Sequence, residues 1–190
     1  MKTAQVREPA VAGQFYPGQA GVLRETANRY VEEAGVEAAP DHVVALVCPH
    51  AGYMYSGPTA GYAYARAKGK KPRRVILLGC SHRYMFPGAS VYEVGAFDTP
   101  LGRFPIDEAF AKTLSTRLET APTGPHDMEH ALEVQLPFLA VALGLMPIVP
   151  VLFGSPAGEW HAQAGRVIAE LVEDGDLVIA STDLSHYLSE

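Results

Sequence analysis

Val43–His50 reads VVALVCPH, Val75–His82 reads VILLGCSH, and Leu177–His186 reads LVIASTDLSH. Each opens as a short apolar run rich in β-branched residues and closes on a histidine. Apolar runs of this length without polar alternation suit strands covered on both faces, as in a parallel sheet between helices. Ile148–Phe153 has the same character. Helical patterns separate the runs. Gly21–Gly35 carries Leu23, Ala27, Tyr30, Val31 and Ala34 at helical spacing, with Gly35 as its stop. Pro58–Lys68, Asp107–Glu119 (Asp107 as cap), Glu129–Leu143 (kinked or broken at Pro137) and Pro156–Asp174 complete the alternation. Ser90–Ala96 and Phe104–Ile106 flank the turn-rich Thr99–Arg103, which predicts a hairpin or edge strands. The class expected is α/β, a mostly parallel sheet with helices on both faces, in a single domain over 1–190.

Composition agrees. Of 190 residues, 48% are hydrophobic and 19% charged, which suits a packed core and argues against disorder. The 18 glycines and 15 prolines predict many tight turns. A net charge of −6 disfavours a nucleic-acid surface, since phosphate contacts need clustered Lys and Arg. The one basic run, Lys68–Arg74, reads as a solvated turn ahead of a strand. No apolar stretch suits a membrane span or a signal peptide. Two cysteines are too few for a disulfide scaffold, so a cytoplasmic chain with reduced thiols is expected.

His50, His82 and His186 share one context: each lies in the loop leaving the C-terminal end of a strand. That edge is where open α/β sheets bind ligands. A single loop histidine usually just bonds the backbone, but three in the same place could converge, and imidazoles suit Zn, Cu, Fe or Ni. Asp183 could orient an imidazole or hold a proton, or cap a turn. Glu129, His130 and Glu133 start a helix pattern and could reach the site or face solvent. His126 and His130 make a weak metal pair behind Gly124–Pro125. Cys48/His50 and Cys80/His82 could form a Cys2His2 zinc site, although buried cysteine is more often an apolar filler. Tyr53, Tyr55, Tyr62 and Tyr64 could line an aromatic pocket or pack on the sheet. HAGYMYSGPTAG, with Gly52 and Gly57 read as tight turns, approaches a phosphate-binding P-loop. It lacks the lysine that motif needs.

Five stretches together resemble the Memo-like family, whose bacterial members are called AmmeMemoRadiSam system protein B: AVAGQFYPG (10–18), PHAGYMYSGPTAGYAY (49–64), GCSHRY (79–84), EHALEVQLPFL (129–139) and STDLSH (181–186). The resemblance covers nearly the whole chain. It implies a fold similar to the class III extradiol (LigB-like) dioxygenases, which are non-haem Fe(II) enzymes. It further implies His50 and His82 as metal ligands, His186 as an acid/base beside the metal with Asp183 accompanying it, and Glu129 and His130 near the pocket. Tyr53 and Tyr55 fall in the same motif as His50. The implied cofactor is Fe(II) or Cu. The implied partners are a small molecule or peptide, with AMMECR-type and radical SAM proteins by family association.

The same resemblance places a third ligand, a cysteine or glutamate, well beyond the SxDxSH motif. Its expectation is therefore a C-terminally truncated domain whose metal site is weakened or empty. Three functions fit the residues. One is a metal-dependent oxidoreductase. Another is a binding module that keeps the pocket without catalysis. The third is a metal-sequestering protein.

Overall fold

The computed structural model describes residues 5–120, 123–154 and 158–184. Among the described residues, two sheets and five α-helices make a mixed α/β fold. The larger sheet contains β2 (Ala45–Cys48), β3 (Arg74–Cys80), β4 (Ala89–Val91), β7 (Ile148–Phe153) and β8 (Asp176–Ser181), in the order β2-β8-β3-β7-β4. Its first three pairings are parallel, and only β4 runs antiparallel, against β7. A smaller sheet joins β1 (Val6–Arg7), β5 (Ala96–Thr99) and β6 (Gly102–Pro105). The expected hairpin is β5–β6, antiparallel with Thr99 opposite Gly102. Ser90 instead belongs to the larger sheet, in β4.

Consecutive strand residues point to opposite faces. Val75, Ile76 and Leu77 of β3 are all fully buried, as are Ile148, Val149, Val151 and Leu152 of β7. Both faces of these central strands are therefore covered, as their uninterrupted apolar sequence predicts. β2 departs from that expectation. It is an edge strand with alternating exposure, and Val47 keeps 62% of its surface. Its apolar sequence resembles a central strand, but α2 packs on it along one face and its outer edge has no partner strand among the described residues.

The helices pack in two groups. α1 (Ala20–Glu33), α2 (Tyr53–Ala67) and α4 (Leu136–Ala142) contact one another, and α3 (Glu108–Leu118) contacts α5 (Glu159–Leu171). Gly35 ends the α1 segment at φ +61°, and the Asp107 carboxylate caps α3 by accepting from Phe110 N at 3.1 Å.

Two helix expectations are corrected. α2 begins at Tyr53, five residues before Pro58, so Gly57 is helical rather than a turn. Its lack of a side chain serves packing. A Cβ at Gly57 would meet the Tyr30 ring at 2.5 Å, and one at Gly61 would meet the Tyr30 carbonyl oxygen at 2.3 Å. These glycines let α1 and α2 approach closely. The Glu129–Leu143 pattern is shorter than it looked. Glu129 and His130 lie in a loop, a 3-10 turn covers Glu133–Gln135, and α4 starts at Leu136. Pro137 sits in the first turn of α4, where no N–H donor is needed, so it opens a helix rather than kinking one.

Candidate metal centre

Strand register brings the site together. Cys48 of β2 lies opposite Ser181 of β8, and Leu78 of β3 lies opposite Ala180. The loops carrying His50, His82 and Asp183 thus leave one edge side by side, with the β8 loop in the middle. A fourth loop crosses them. At Gly79 a Cβ would meet Leu132 Cδ2 at 2.7 Å and Ala131 Cβ at 3.3 Å. Glycine there lets the segment after His130 lie directly against β3.

The result is a cluster of His50, His82 and His130, each offering a ring nitrogen within 4.8 Å of the others. Ring centroids are 5.1 Å apart for His50–His82, 5.6 Å for His50–His130 and 4.3 Å for His82–His130. His50 is 2% exposed, His82 more open.

Surrounding groups fix the imidazoles. Ser181 Oγ donates to Ala131 O at 2.6 Å, so its one hydrogen is used there. It accepts from Gln135 Nε2 at 2.8 Å, and His50 Nδ1 lies 3.0 Å away. His50 Nδ1 must therefore carry a proton and donate, which leaves the Nε2 lone pair free. Gln135 is fixed in turn by Tyr64, whose hydroxyl donates to Oε1 at 2.8 Å. His82 Nδ1 donates to Glu129 Oε1 at 2.9 Å, again leaving Nε2 toward the cluster. Glu129 also accepts from the backbone N–H groups of His82 (2.6 Å), His130 (2.8 Å) and Ala131 (2.9 Å). Burial opposes its charge, but the hydrogen bonds from His82 and these amides outweigh it and hold the carboxyl down at about 2.

His130 packs against Phe15, with centroids 4.6 Å apart and the rings tilted by 47°. Its Nδ1 lies 3.2 Å from Glu129 Oε1 without the alignment of a hydrogen bond. Burial pulls its pKa down to about 4, so it is a neutral imidazole at pH 7. Cys80 lies at the rim, exposed, with Sγ 3.6 Å from His82 Nε2. Hydrogen bonding with His50, then His82, draws its thiol down to about 6, and the same contact followed by Glu129 raises His82 to about 10.

Asp183 Oδ1 accepts from the backbone N–H of His50 (2.6 Å) and Ala51 (3.1 Å), tying the β2 and β8 loops together. Its Oδ2 stands 3.7 Å from His50 Nε2. His186 lies outside the described residues. A cavity of about 840 Å³ opens over the cluster, lined by Phe15, Pro49, Tyr55, His82, His130 and Asp183 among others. Tyr55 is on its wall and exposed, whereas Tyr53 is buried, donates to Val134 O at 2.9 Å and packs on Phe138. Tyr53 therefore belongs to the core, as does Tyr64.

Two zinc and metal-pair readings fail among the described residues. Cys48 is buried and pushed up to about 12 by that burial, and it does not join Cys80 in a Cys2His2 set. His126 turns its Nε2 to Ser90 O at 3.1 Å and takes no part in the cluster.

One anchoring residue went unnoticed in the sequence. Arg7 of β1 donates through Nε to His126 O (2.7 Å), through Nη2 to Glu129 O (2.6 Å) and through Nη1 to Glu133 Oε2 (2.7 Å). Glu133 further accepts from Ala10 N, Val11 N and the Tyr16 hydroxyl. This buried network positions the loop that delivers Glu129 and His130. Nothing in a lone Arg near the N-terminus signals it.

A family model described as Memo-like protein matches residues 7–190. The chain belongs to the Memo-like family. It is 37% identical over 196 residues to a MEMO1 family protein of Thermotoga neapolitana, covering 96% of this chain and 71% of that protein. A MEMO1 family protein of Pyrococcus furiosus is 36% identical over 192 residues, covering 96% of this chain and 65% of that protein. One from Methanobrevibacter smithii is 36% identical over 197 residues, covering 96% and 70%. The described residues of the five motifs of this Memo-like chain fall within or against the region just described. AVAGQFYPG supplies Phe15 and the amides held by Glu133, and EHALEVQLPFL supplies Glu129, His130, Glu133 and Gln135. No helix among the described residues is long and apolar enough to cross a membrane.

Proposed function

We propose that this Memo-like protein holds one transition-metal ion, Fe(II) or Cu, through His50, His82 and His130, and uses it in redox or oxygenase-type chemistry on a small organic molecule. The observation that carries the reading is the convergence of three imidazole donors within 4.8 Å, two of them oriented through Nδ1 by a serine and a carboxylate. Histidines whose second nitrogen is bonded in this way are good ligands, because the tautomer and the ring plane are already set. The donor set therefore fits the ion. Bound there, Fe(II) or Cu would supply Lewis acidity and one-electron chemistry with open positions for small ligands.

The protein's own residues do the remaining work. Phe15 and Tyr55 offer flat apolar walls for an aromatic group, and Asp183 presents a carboxylate oxygen toward it. The family resemblance gives His186 the acid/base role beside Asp183. His130 adds a third imidazole donor from among the described residues.

Metal content and oxygen uptake test this together. Protein purified anaerobically should carry Fe or Cu near one equivalent, lost in His50→Ala and His82→Ala, and should consume oxygen with catechol-type substrates. Stoichiometric metal in both variants refutes the site. Metal without oxygen uptake, but with ligand binding to the cavity, favours the binding-module reading, which the size and largely apolar lining of the cavity support.

A further inference from the structure

We propose that Tyr16 is a redox-active tyrosine. It gives up an electron to a strong one-electron oxidant arising where oxygen is activated at the histidine centre, and its proton passes to Glu133. Only the source of the oxidant rests on the function proposed above. A phenol that loses an electron becomes a strong acid, and a buried cation without a partner is costly. A buried tyrosine is therefore oxidised readily only where a base within hydrogen-bond reach takes the proton. Tyr16 meets that condition. It is 3% exposed, and its hydroxyl donates to Glu133 Oε1 at 2.6 Å. Tyr53 and Tyr64 are as deeply buried, but they donate to the Val134 carbonyl and the Gln135 amide oxygen, neither of which is a base. Among the described residues no other tyrosine hydroxyl bonds a carboxylate.

The step balances within the pair. The Tyr16 O–H bond breaks, its proton moves to Glu133 Oε1, one electron leaves the ring, and the oxidant is reduced by one electron. A neutral phenoxyl radical and a neutral carboxylic acid remain. Arg7 is not stranded, because its Nε and Nη2 stay on the carbonyls of His126 and Glu129. An electron from a thiolate and return of the proton restore the tyrosine. Without an oxidant, burial and then the charge of Glu133 hold the phenol protonated well above its usual range. Position suits the role. Phe15, the neighbouring residue, packs against His130. On the other side the Tyr53 ring centre lies 5.7 Å from that of Tyr16 and 6.3 Å from that of the half-buried Tyr30. These rings lead from the centre toward the surface. Tyr16 can thus draw off an oxidising equivalent when no substrate is bound and spare the histidines.

Electron paramagnetic resonance of the metal-free full chain tests Tyr16 independently of any ion. After photo-oxidation with tris(bipyridyl)ruthenium and a sacrificial electron acceptor, a tyrosyl radical that outlives those of the exposed tyrosines should remain. Electron-nuclear double resonance should show an exchangeable proton coupled to it, the one held by Glu133, and D2O should replace it. Tyr16→Phe should lose this radical, and Tyr64→Phe should keep it. Tyr16→Phe leaves Glu133 on Arg7 and on the amides of Ala10 and Val11, so the network that holds the fold stays in place. No persistent radical in the full chain, one that survives Tyr16→Phe, or one without an exchangeable proton overturns the role of Tyr16. The same radical should appear when the full chain, loaded anaerobically with Fe(II) or Cu(I), meets oxygen. Its absence there, with the photochemical signal intact, overturns the histidine centre as the source of the oxidant and leaves Tyr16 standing.

Discussion

Glu129 grips His82 at two points, accepting its backbone N–H through Oε2 at 2.6 Å and its Nδ1–H through Oε1 at 2.9 Å. A carboxylate that fixes both the loop and the ring sets where His82 Nε2 points. Glu129→Gln keeps the size but cannot accept at every one of these contacts. We expect metal affinity to fall by about 10–100-fold, the usual cost of losing a ligand's outer partner. Competition with a chromophoric chelator measures it, and an unchanged affinity would show that His82 needs no such support.

Ser181 is the corresponding partner of His50. Ser181→Ala strands three groups at once: His50 Nδ1, the Ala131 carbonyl and one donor of Gln135. Leaving a buried polar group unpaired costs about 1–3 kcal/mol. We expect urea unfolding to shift by at least that much, together with weaker metal binding. Loss of stability without loss of affinity would assign Ser181 to the fold alone.

The Arg7–Glu133 pair, at 2.7 Å with both side chains almost fully buried, holds the loop that carries Glu129 and His130. Removing one partner of such a pair typically costs about 3–5 kcal/mol, because a buried charge is left alone. Glu133→Ala should therefore lower the thermal midpoint sharply and remove metal binding, although residue 133 lies outside the histidine cluster. A stable variant with normal metal content would separate this network from the site.

Much of this was legible in the sequence, for identifiable reasons. Strand-end histidines announce themselves by position, so His50 and His82 stood out, and the apolar runs marked β3, β7 and β8. His130 was less visible because the EHALEVQLPFL stretch reads as helix, whereas the close approach at Gly79 draws its first residues into a loop across β3. That approach is tertiary, and no local pattern encodes it. The Arg7–Glu133 pair joins positions 126 residues apart. Gly57 reads as a turn residue because glycine suits turns and close helix packing equally, and only the position of Tyr30 distinguishes the two.

His126 gives the fold a pH dependence. Burial lowers its pKa from 6.5 to about 4, and Nε2 donates to Ser90 O. The folded state keeps it neutral while the unfolded chain takes up a proton below pH 6.5, so stability falls as pH drops from 6.5 to about 4 and levels off below. The shift corresponds to roughly 3 kcal/mol. His126→Gln can still donate to Ser90 and does not titrate, so urea unfolding of the variant should lose this part of the slope. Parallel curves for the two proteins would rule the mechanism out.

The account turns on His130 as a ligand from within this chain. Equilibrium dialysis of reduced His130→Ala against Co(II), beside the unmutated protein, tests it most directly. We predict a single equivalent bound by the unmutated chain and a large loss of affinity in His130→Ala, with the far-ultraviolet circular dichroism of the two proteins alike. Full cobalt binding by a folded His130→Ala would contradict the three-histidine centre.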